Sequence, residues 1–246
     1  MAVAAAVKVT MIFGVVMSIV GLMTWVERRG SAFIQRRQGP NRVGPFGLFQ
    51  PLADGLKFLF KEDIVPVFVH RPVYILAPAI SMCAALLTMA VVPFGSAVTV
   101  GGRSIPMIIA DVDAGVLFLL AASGMGVYGI IMAGWSSNNK YSMLGGLRSS
   151  AQMISYELAL GLGVVAVLIL GGTMRLTEIV EFQANNLWNI AYMPVGFLLL
   201  LISGFAETNR LPFDLPEAES ELVGGYHTEY SSMKFSMFFM AEYANR

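Results

Sequence analysis

Cysteine is nearly missing from this 246-residue chain, and histidine is almost as scarce. The single cysteine, Cys83, can close no internal disulfide and lies in an apolar run, where packing accounts for it. The two histidines, His70 and His227, are far apart, so the chain can assemble no Cys/His metal site of its own. Charge is equally thin. Charged residues make up 13%, about half the roughly 25% of globular proteins. The 16 Lys and Arg cancel the 16 Asp and Glu, which leaves nothing to attract nucleic acid. Disorder, collagen-like repeats and disulfide scaffolds are excluded by composition, and neither an internal repeat nor a low-complexity tract is present. What remains is apolar: hydrophobic residues reach 56%, with 16 Phe and 16 Met. Mean hydropathy is +0.68. These are the proportions of an integral membrane protein.

A helix needs roughly 20 apolar residues to cross a hydrocarbon core of about 30 Å. Five stretches qualify: Val9–Val26, Val73–Val92, Ala114–Gly134, Ala151–Gly171 and Leu187–Ala206. A sixth begins near Phe235 and stops at Arg246. The expected fold is therefore all-α, a polytopic transmembrane helix bundle of five complete spans plus the start of a sixth. It forms one membrane domain over 1–246, expected to be incomplete at its carboxyl end. The first span is not a cleaved signal peptide, because its charged cluster Glu27-Arg28-Arg29 follows the apolar run. With the amino terminus outside, segments 27–72, 135–149 and 207–234 lie inside and hold 12 of the 16 Lys and Arg. The outer segments hold Lys8, Arg103 and Arg175. The positive-inside rule selects this orientation.

Segment 27–72 is more than a linker. It opens with turn formers and cations, Arg36-Arg37-Gln38-Gly39-Pro40, and then Leu48, Phe49, Leu52, Leu56, Leu59 and Phe60 recur at helical spacing. Asp54, Lys57 and Lys61 fall off that stripe. The pattern predicts an amphipathic helix in the membrane interface, either a surface anchor or a wall for a lipid-soluble substrate.

Carboxylates stand where they cost free energy. Glu157 is nine residues beyond Arg148, roughly 14 Å along the helix and about mid-membrane. Glu242 lies eight residues beyond Lys234, roughly 12 Å in by the same rise. An acid at that depth costs on the order of 2.5–3.5 kcal/mol and faces a protein interior or a water-filled path. Desolvation favours its protonated form and so prepares it to carry protons, although an acid that bridges two helices is also open. Segment 207–234 adds Glu207, Asp214, Glu217, Glu219, Glu221 and Glu229, with Arg210 the one nearby base before Lys234. Asp214 and Glu217 have the spacing of a helix cap, and on such a helix Glu217 and Glu221 share a face. Proton sharing and a solvated acidic loop both fit; Glu157 and Glu242, which could continue a path, favour protons. Asp111 and Asp113, before the third span, suit capping or transport. Gly14 and Ser18, four apart, suit close helix packing.

Together these residues resemble a known family. ERR at 27–29, RQGPNRVGPFGLFQPLADGLKFLFKE at 37–62, GWSSNNKYSMLGGLRSSAQMISYE at 134–157, AETNRLPFDLPEAESELVGGYHTEY at 206–230 and FFMAEY at 238–243 are similar to the H-type membrane subunit of respiratory complex I, the NADH:quinone oxidoreductase. The mitochondrial member is NADH dehydrogenase subunit 1. The stretches fall in order along nearly the whole chain. The resemblance implies a membrane-arm subunit that forms much of the tunnel through which quinone, the substrate, reaches a cluster held by a partner. It implies tunnel roles for Glu27, Arg28, Arg37, Asp54 and Arg210. It implies a proton path through Glu157, Glu207, Asp214, Glu217, Glu219, Glu221, Glu229 and Glu242. It further implies a quinone-reducing hydrophilic arm and proton-pumping membrane subunits as partners, which hold the FMN and iron–sulfur clusters. The chain has no nucleotide loop and no cluster-ligating cysteines, so it would be a subunit of a translocating enzyme without catalysis of its own. The Ala- and Gly-rich sequence suggests a bacterial inner membrane over a mitochondrial one. The homologous subunit of a hydrogenase- or ferredoxin-linked ion pump is an alternative. More distant ones are a secondary transporter, for which no second half is seen, and a purely structural anchor.

Overall fold

The computed structural model describes residues 2–100, 103–210, 212–216 and 223–245. Apart from one small hairpin, the described elements are helical, and four helices are long and apolar enough to cross a membrane. They are α1 (Ala2–Ile34), α3 (Arg71–Thr88), α4 (Gly115–Ser136) and α5 (Lys140–Gly171). Between α1 and α3 lies α2 (Gln50–Phe60), the expected amphipathic helix. Its Leu52, Leu56, Leu59 and Phe60 are exposed. The short α6 (Leu176–Asn185) and α7 (Asn189–Tyr192) precede α8 (Pro194–Glu207), and α9 (Ser232–Ala244) follows the acidic segment. Strands β1 (Val98–Val100) and β2 (Arg103–Ile105) pair antiparallel between α3 and α4.

Three spans differ from their hydropathy limits for identifiable reasons. α1 does not stop at Val26 but carries Glu27, Arg28 and Arg29 within the helix. Charge ends an apolar run without breaking a helix; the break comes at Arg36, where φ turns to 52°. Likewise α5 starts at Lys140, capped by Asn139, whose side chain accepts from the Tyr141 N–H at 2.9 Å. The apolar run over 187–206 is divided, because Pro194 forces Met193 out of the helical region.

The bundle is drawn together by small residues. α3 packs most extensively on α4, where Gly129 meets Ser81 and Ala77, and α4 packs on α5, where Gly134 meets Gly146. Tyr74, Ala77, Val127, Ile130, Ala133 and Met153 share one core with Tyr226, Tyr230 and Phe238. A second core joins Ile12, Val16 and Val20 of α1 to Met82 and Ala85 of α3 and to Ala241, Tyr243 and Ala244 of α9. Gly14 and Ser18 face outward, with the Ser18 hydroxyl bonded to the Gly14 carbonyl at 2.7 Å, so among the described residues they close no helix pair. Cys83 also lies on the outward face of α3, exposed among the described residues.

The segments expected inside and those expected outside make their contacts at different ends of the helices. At one end Lys8 bonds to the Pro106 carbonyl and to that of Ile108. There Arg175 pairs with Asp113, and Thr177 bonds Asp111 at 3.1 Å. Neither aspartate caps α4; both tie the loop before α4 to the start of α6. Elsewhere, Ser231 and Ser232 clasp the main chain at and beyond the end of α2. The Ser232 hydroxyl reaches the Phe58 and Lys61 carbonyls, both at 2.9 Å, and Ser231 accepts from the Ile64 N–H at 2.9 Å. Lys234 pairs with Asp63 beside them.

Candidate functional site

The clasped end of the bundle gathers the charged residues that the sequence singles out. Its centre is Arg210, three residues past the end of α8. The turn that carries it is held by α5. Gln152 Nε2 donates to the Ala206 carbonyl at 3.1 Å, to Asn209 Oδ1 at 3.0 Å and to the Phe213 carbonyl at 2.8 Å. Asn209 is buried with φ 48° and donates to Ser149 Oγ at 2.7 Å. The chain on both sides of one guanidinium is thereby fixed.

Arg210 joins three elements. Its Nη2 pairs with Glu27 of α1 and donates to the Tyr243 hydroxyl of α9 at 3.3 Å. Tyr243 in turn donates to Glu27 Oε2 at 2.8 Å. Arg210 Nε lies 3.9 Å from Glu242 Oε1, and the guanidinium stacks 5.3 Å from the Tyr243 ring centre. Burial pushes the Asp214 carboxyl above its ordinary pKa, while the nearby Arg210 charge pulls it back. One cation is thus shared by a residue of the expected tunnel set, Glu27, and two of the expected proton path, Glu242 and Asp214.

Behind this junction a cavity of about 430 Å³ opens between α3, α4, α5, α8 and α9. Glu207 and Glu242 both line it, with hydroxyl and amide side chains that include Ser123, Thr208, Asn209 and Asn245 among apolar ones. Glu207 hydrogen-bonds Ser123 and feels the charge of Glu157. Glu157 presses on α4 at Gly124, where an added methyl would come within 2.8 Å of its Oε1. Two of the expected path acids therefore face one cavity, with a third beside it.

Glu229 belongs elsewhere. Its Oε1 accepts from Asn139 Nδ2 at 2.5 Å, and its carbonyl accepts from the Tyr74 hydroxyl at 2.6 Å. Tyr230 stacks on Tyr74 at 4.1 Å and donates to its carbonyl at 3.1 Å. Burial pushes the Tyr230 phenol up to about 12 and His227 down to about 4, so His227 is neutral. Ser142 donates to the Tyr226 carbonyl at 2.9 Å, and Gly145 lies against Gly225 so closely that a Cβ would stand 2.5 Å from its Cα. These contacts anchor the far end of the acidic segment in the bundle. Glu217, Glu219 and Glu221 lie outside the described residues, as does the helix expected to start at Asp214.

Of the remaining tunnel set, Arg28 of α1 pairs with Asp54 of α2, which also accepts from Gln50 Nε2 at 3.0 Å. This joins α2 to α1 one residue from Glu27. Arg37 stands apart, its Nε bonded to Gln35 Oε1 at 2.6 Å. Sequence reasoning missed Tyr243 and Gln152, although Tyr243 directly follows Glu242. It also missed Arg29, which lies over the Trp25 and Phe46 rings and bonds the Phe46 carbonyl at 2.8 Å.

Residues 7–246 match the family described as NADH dehydrogenase. The chain is 55% identical, over 97% of its length, to an H-type subunit of NADH-quinone oxidoreductase from Solibacter usitatus and spans 62% of that protein. It is 52% identical over 98% of its length to an H-type subunit of the same enzyme from Koribacter versatilis, of which it spans 72%. It is 56% identical over 91% to the corresponding protein of Protochlamydia amoebophila, with 68% of that relative covered.

Proposed function

The chain belongs to the NADH dehydrogenase family, and from that membership we propose that it is the membrane subunit of a proton-translocating NADH:quinone oxidoreductase. In this reading it walls the quinone tunnel with Glu27, Arg28, Arg37, Asp54 and Arg210. It also carries the consequence of quinone reduction into the acidic path. The FMN and iron–sulfur clusters belong to partner subunits, and the chain sits in a bacterial inner membrane with its amino terminus outside.

The observation that carries the proposal is the sharing of Arg210. A guanidinium cannot lose its proton, so it responds to a change of charge only by redistributing its pairing. Reduction of a quinone to a quinol takes up two electrons and two protons near the tunnel end of this network. Each change of charge on the Glu27 side alters how much of Arg210 is left for Glu242, 3.9 Å away. Glu242 then gains or loses proton affinity, and it faces the same cavity as Glu207. Glu157, electrostatically linked to Glu207, extends the route toward neighbouring pumping subunits. Asp214 lies beside Arg210, and Glu217, Glu219, Glu221 and Glu229 continue the acidic segment assigned to the path.

The test is Glu157→Gln in the full-length chain, assembled in its native membrane. The complex forms, but proton pumping per NADH or coupled turnover falls severalfold. Normal pumping by a fully assembled Glu157→Gln complex sinks the path. Quinone reduction driven by hydrogen or ferredoxin instead of NADH moves the chain to the hydrogenase-linked branch.

A further inference from the structure

We infer that Arg29 of α1 is a positioning residue for the tunnel wall, holding Phe46 in a left-handed backbone conformation and so setting where α2 lies against α1. The inference rests on the proposal that Arg28 and Asp54 line the quinone tunnel. It brings in a residue outside that set and says how it acts.

The starting observation is a strained turn. Between α1 and α2 the chain passes through Gly44 and Gly47, with φ of 72° and 75°. Neither position has room for a side chain. A Cβ at Gly44 would stand 2.2 Å from the Phe49 ring, and one at Gly47 would stand 2.2 Å from the Pro40 carbonyl oxygen. Phe46, between them, has φ 54° without a glycine's freedom. A bulky side chain in that region is unfavourable and persists only where its surroundings impose it.

The imposition comes from α1. Arg29 Nη1 donates to the Phe46 carbonyl at 2.8 Å, and Trp25 Nε1, one turn earlier, donates to the same oxygen at 3.2 Å. The guanidinium lies 5.1 Å from the Phe46 ring centre and 5.4 Å from that of Trp25, within the range of cation–π attraction. Phe46 is still 71% exposed, so burial is not what holds it. Two donors and one cation are.

What is fixed at Phe46 passes to α2, which begins four residues later. No residue of α2 is buried, so its seat depends on discrete contacts. At its far end these are the serine bonds from α9. At its near end Pro51 lies against Gly21 of α1, where an added Cβ would come within 3.6 Å of the proline's own. Asp54 then pairs with Arg28. Two neighbouring arginines thus divide the work: Arg28 holds Asp54 directly, and Arg29 holds the backbone that delivers it. Releasing Phe46 to an ordinary conformation moves the start of α2, and the Asp54 side of the wall moves with it. Quinone binding weakens, while the steps after binding keep their groups.

The test uses the full-length chain in its assembled complex in native membranes. KM and kcat are measured for a decyl-tailed quinone with NADH as donor, normalised to assembled complex on a native gel. Arg29→Gln raises KM at least fivefold and leaves kcat within twofold. Adding Phe46→Gly, which takes up the left-handed conformation without a clamp, brings KM back to within twofold of the wild type. A smaller amount of Arg29→Gln complex with unchanged KM reduces the residue to folding and overturns the inference. A raised KM that Phe46→Gly does not restore overturns it too, as does a fall in kcat alone. Asp54→Asn separates the inference from the reading beneath it. A raised KM there, beside a wild-type KM in Arg29→Gln, leaves the tunnel standing without the clamp. Wild-type KM in both removes α2 from the tunnel and the inference with it.

Discussion

Tyr243→Phe is the narrowest cut through the Arg210 junction. It removes one oxygen, which donates to Glu27 Oε2 at 2.8 Å and accepts from Arg210 at 3.3 Å. The ring that stacks on the guanidinium at 5.3 Å stays. A hydrogen bond to a charged group contributes about 1.5–3 kcal/mol. Glu27 keeps 38% of its side-chain surface accessible, so the lower end, about 1.5 kcal/mol, applies. At about 1.4 kcal/mol per tenfold, turnover should fall roughly tenfold if this bond stands in the rate-limiting arrangement. Glu27→Gln weakens the same bond and costs a similar factor. Because both variants act on one interaction, the double variant should be no slower than the worse single, a coupling energy of about 1.5 kcal/mol. The assay is NADH:quinone turnover in native membranes, normalised to assembled complex on a native gel. A double variant slowed by the product of the two single factors means that Glu27 and Tyr243 act independently, and the junction is then not a unit.

Gly145→Ala should reduce the amount of assembled chain severalfold in a membrane immunoblot, because the new Cβ meets Gly225 backbone at 2.5 Å. Gly161→Ala on the same helix, where nothing lies within 4 Å, should accumulate normally. His227, pushed down to about 4 from its ordinary 6.5 by burial, must stay neutral in the folded chain. The unfolded chain then binds more protons between those values, so stability present above pH 6.5 is lost as pH falls toward 4. Thermal melting of the purified complex should show this acid-side loss, at most about 1.4 kcal/mol per pH unit, and His227→Phe should flatten it.

Hydropathy made the spans legible because crossing a membrane demands a long apolar run whatever the fold. The α2 stripe was legible for a related reason, since its apolar side chains recur on one face and are exposed there. The limits of α1 and α5 were not. Glu27 through Arg29 end the apolar run, yet their backbone continues the helix as well as any other residues do. Glu157 and Glu242 were legible as costly placements, but the cation they converge on was not. Arg210 lies 183 residues from Glu27, a separation that no spacing rule covers. The separation of Glu229 from the other acids was equally invisible, because Asn139 and Tyr74, which hold it, come from α5's cap and α3.

The serine clasp between α9 and the end of α2 has a consequence for how such a chain can evolve. Ser231 and Ser232 bind main-chain groups at Phe58, Lys61 and Ile64, so these bonds read no side chain of α2, and the ring of Phe58 meets that of Phe235 on α9 at 6.0 Å. The exposed Leu52, Leu56, Leu59 and Phe60 of α2 are thus free to change in length, branching or aromatic content without loosening those bonds. The helix bearing Glu242 and Tyr243 keeps its seat throughout. Adaptation to a bilayer and preservation of the charged junction become separable problems, solved by different atoms of the same few residues.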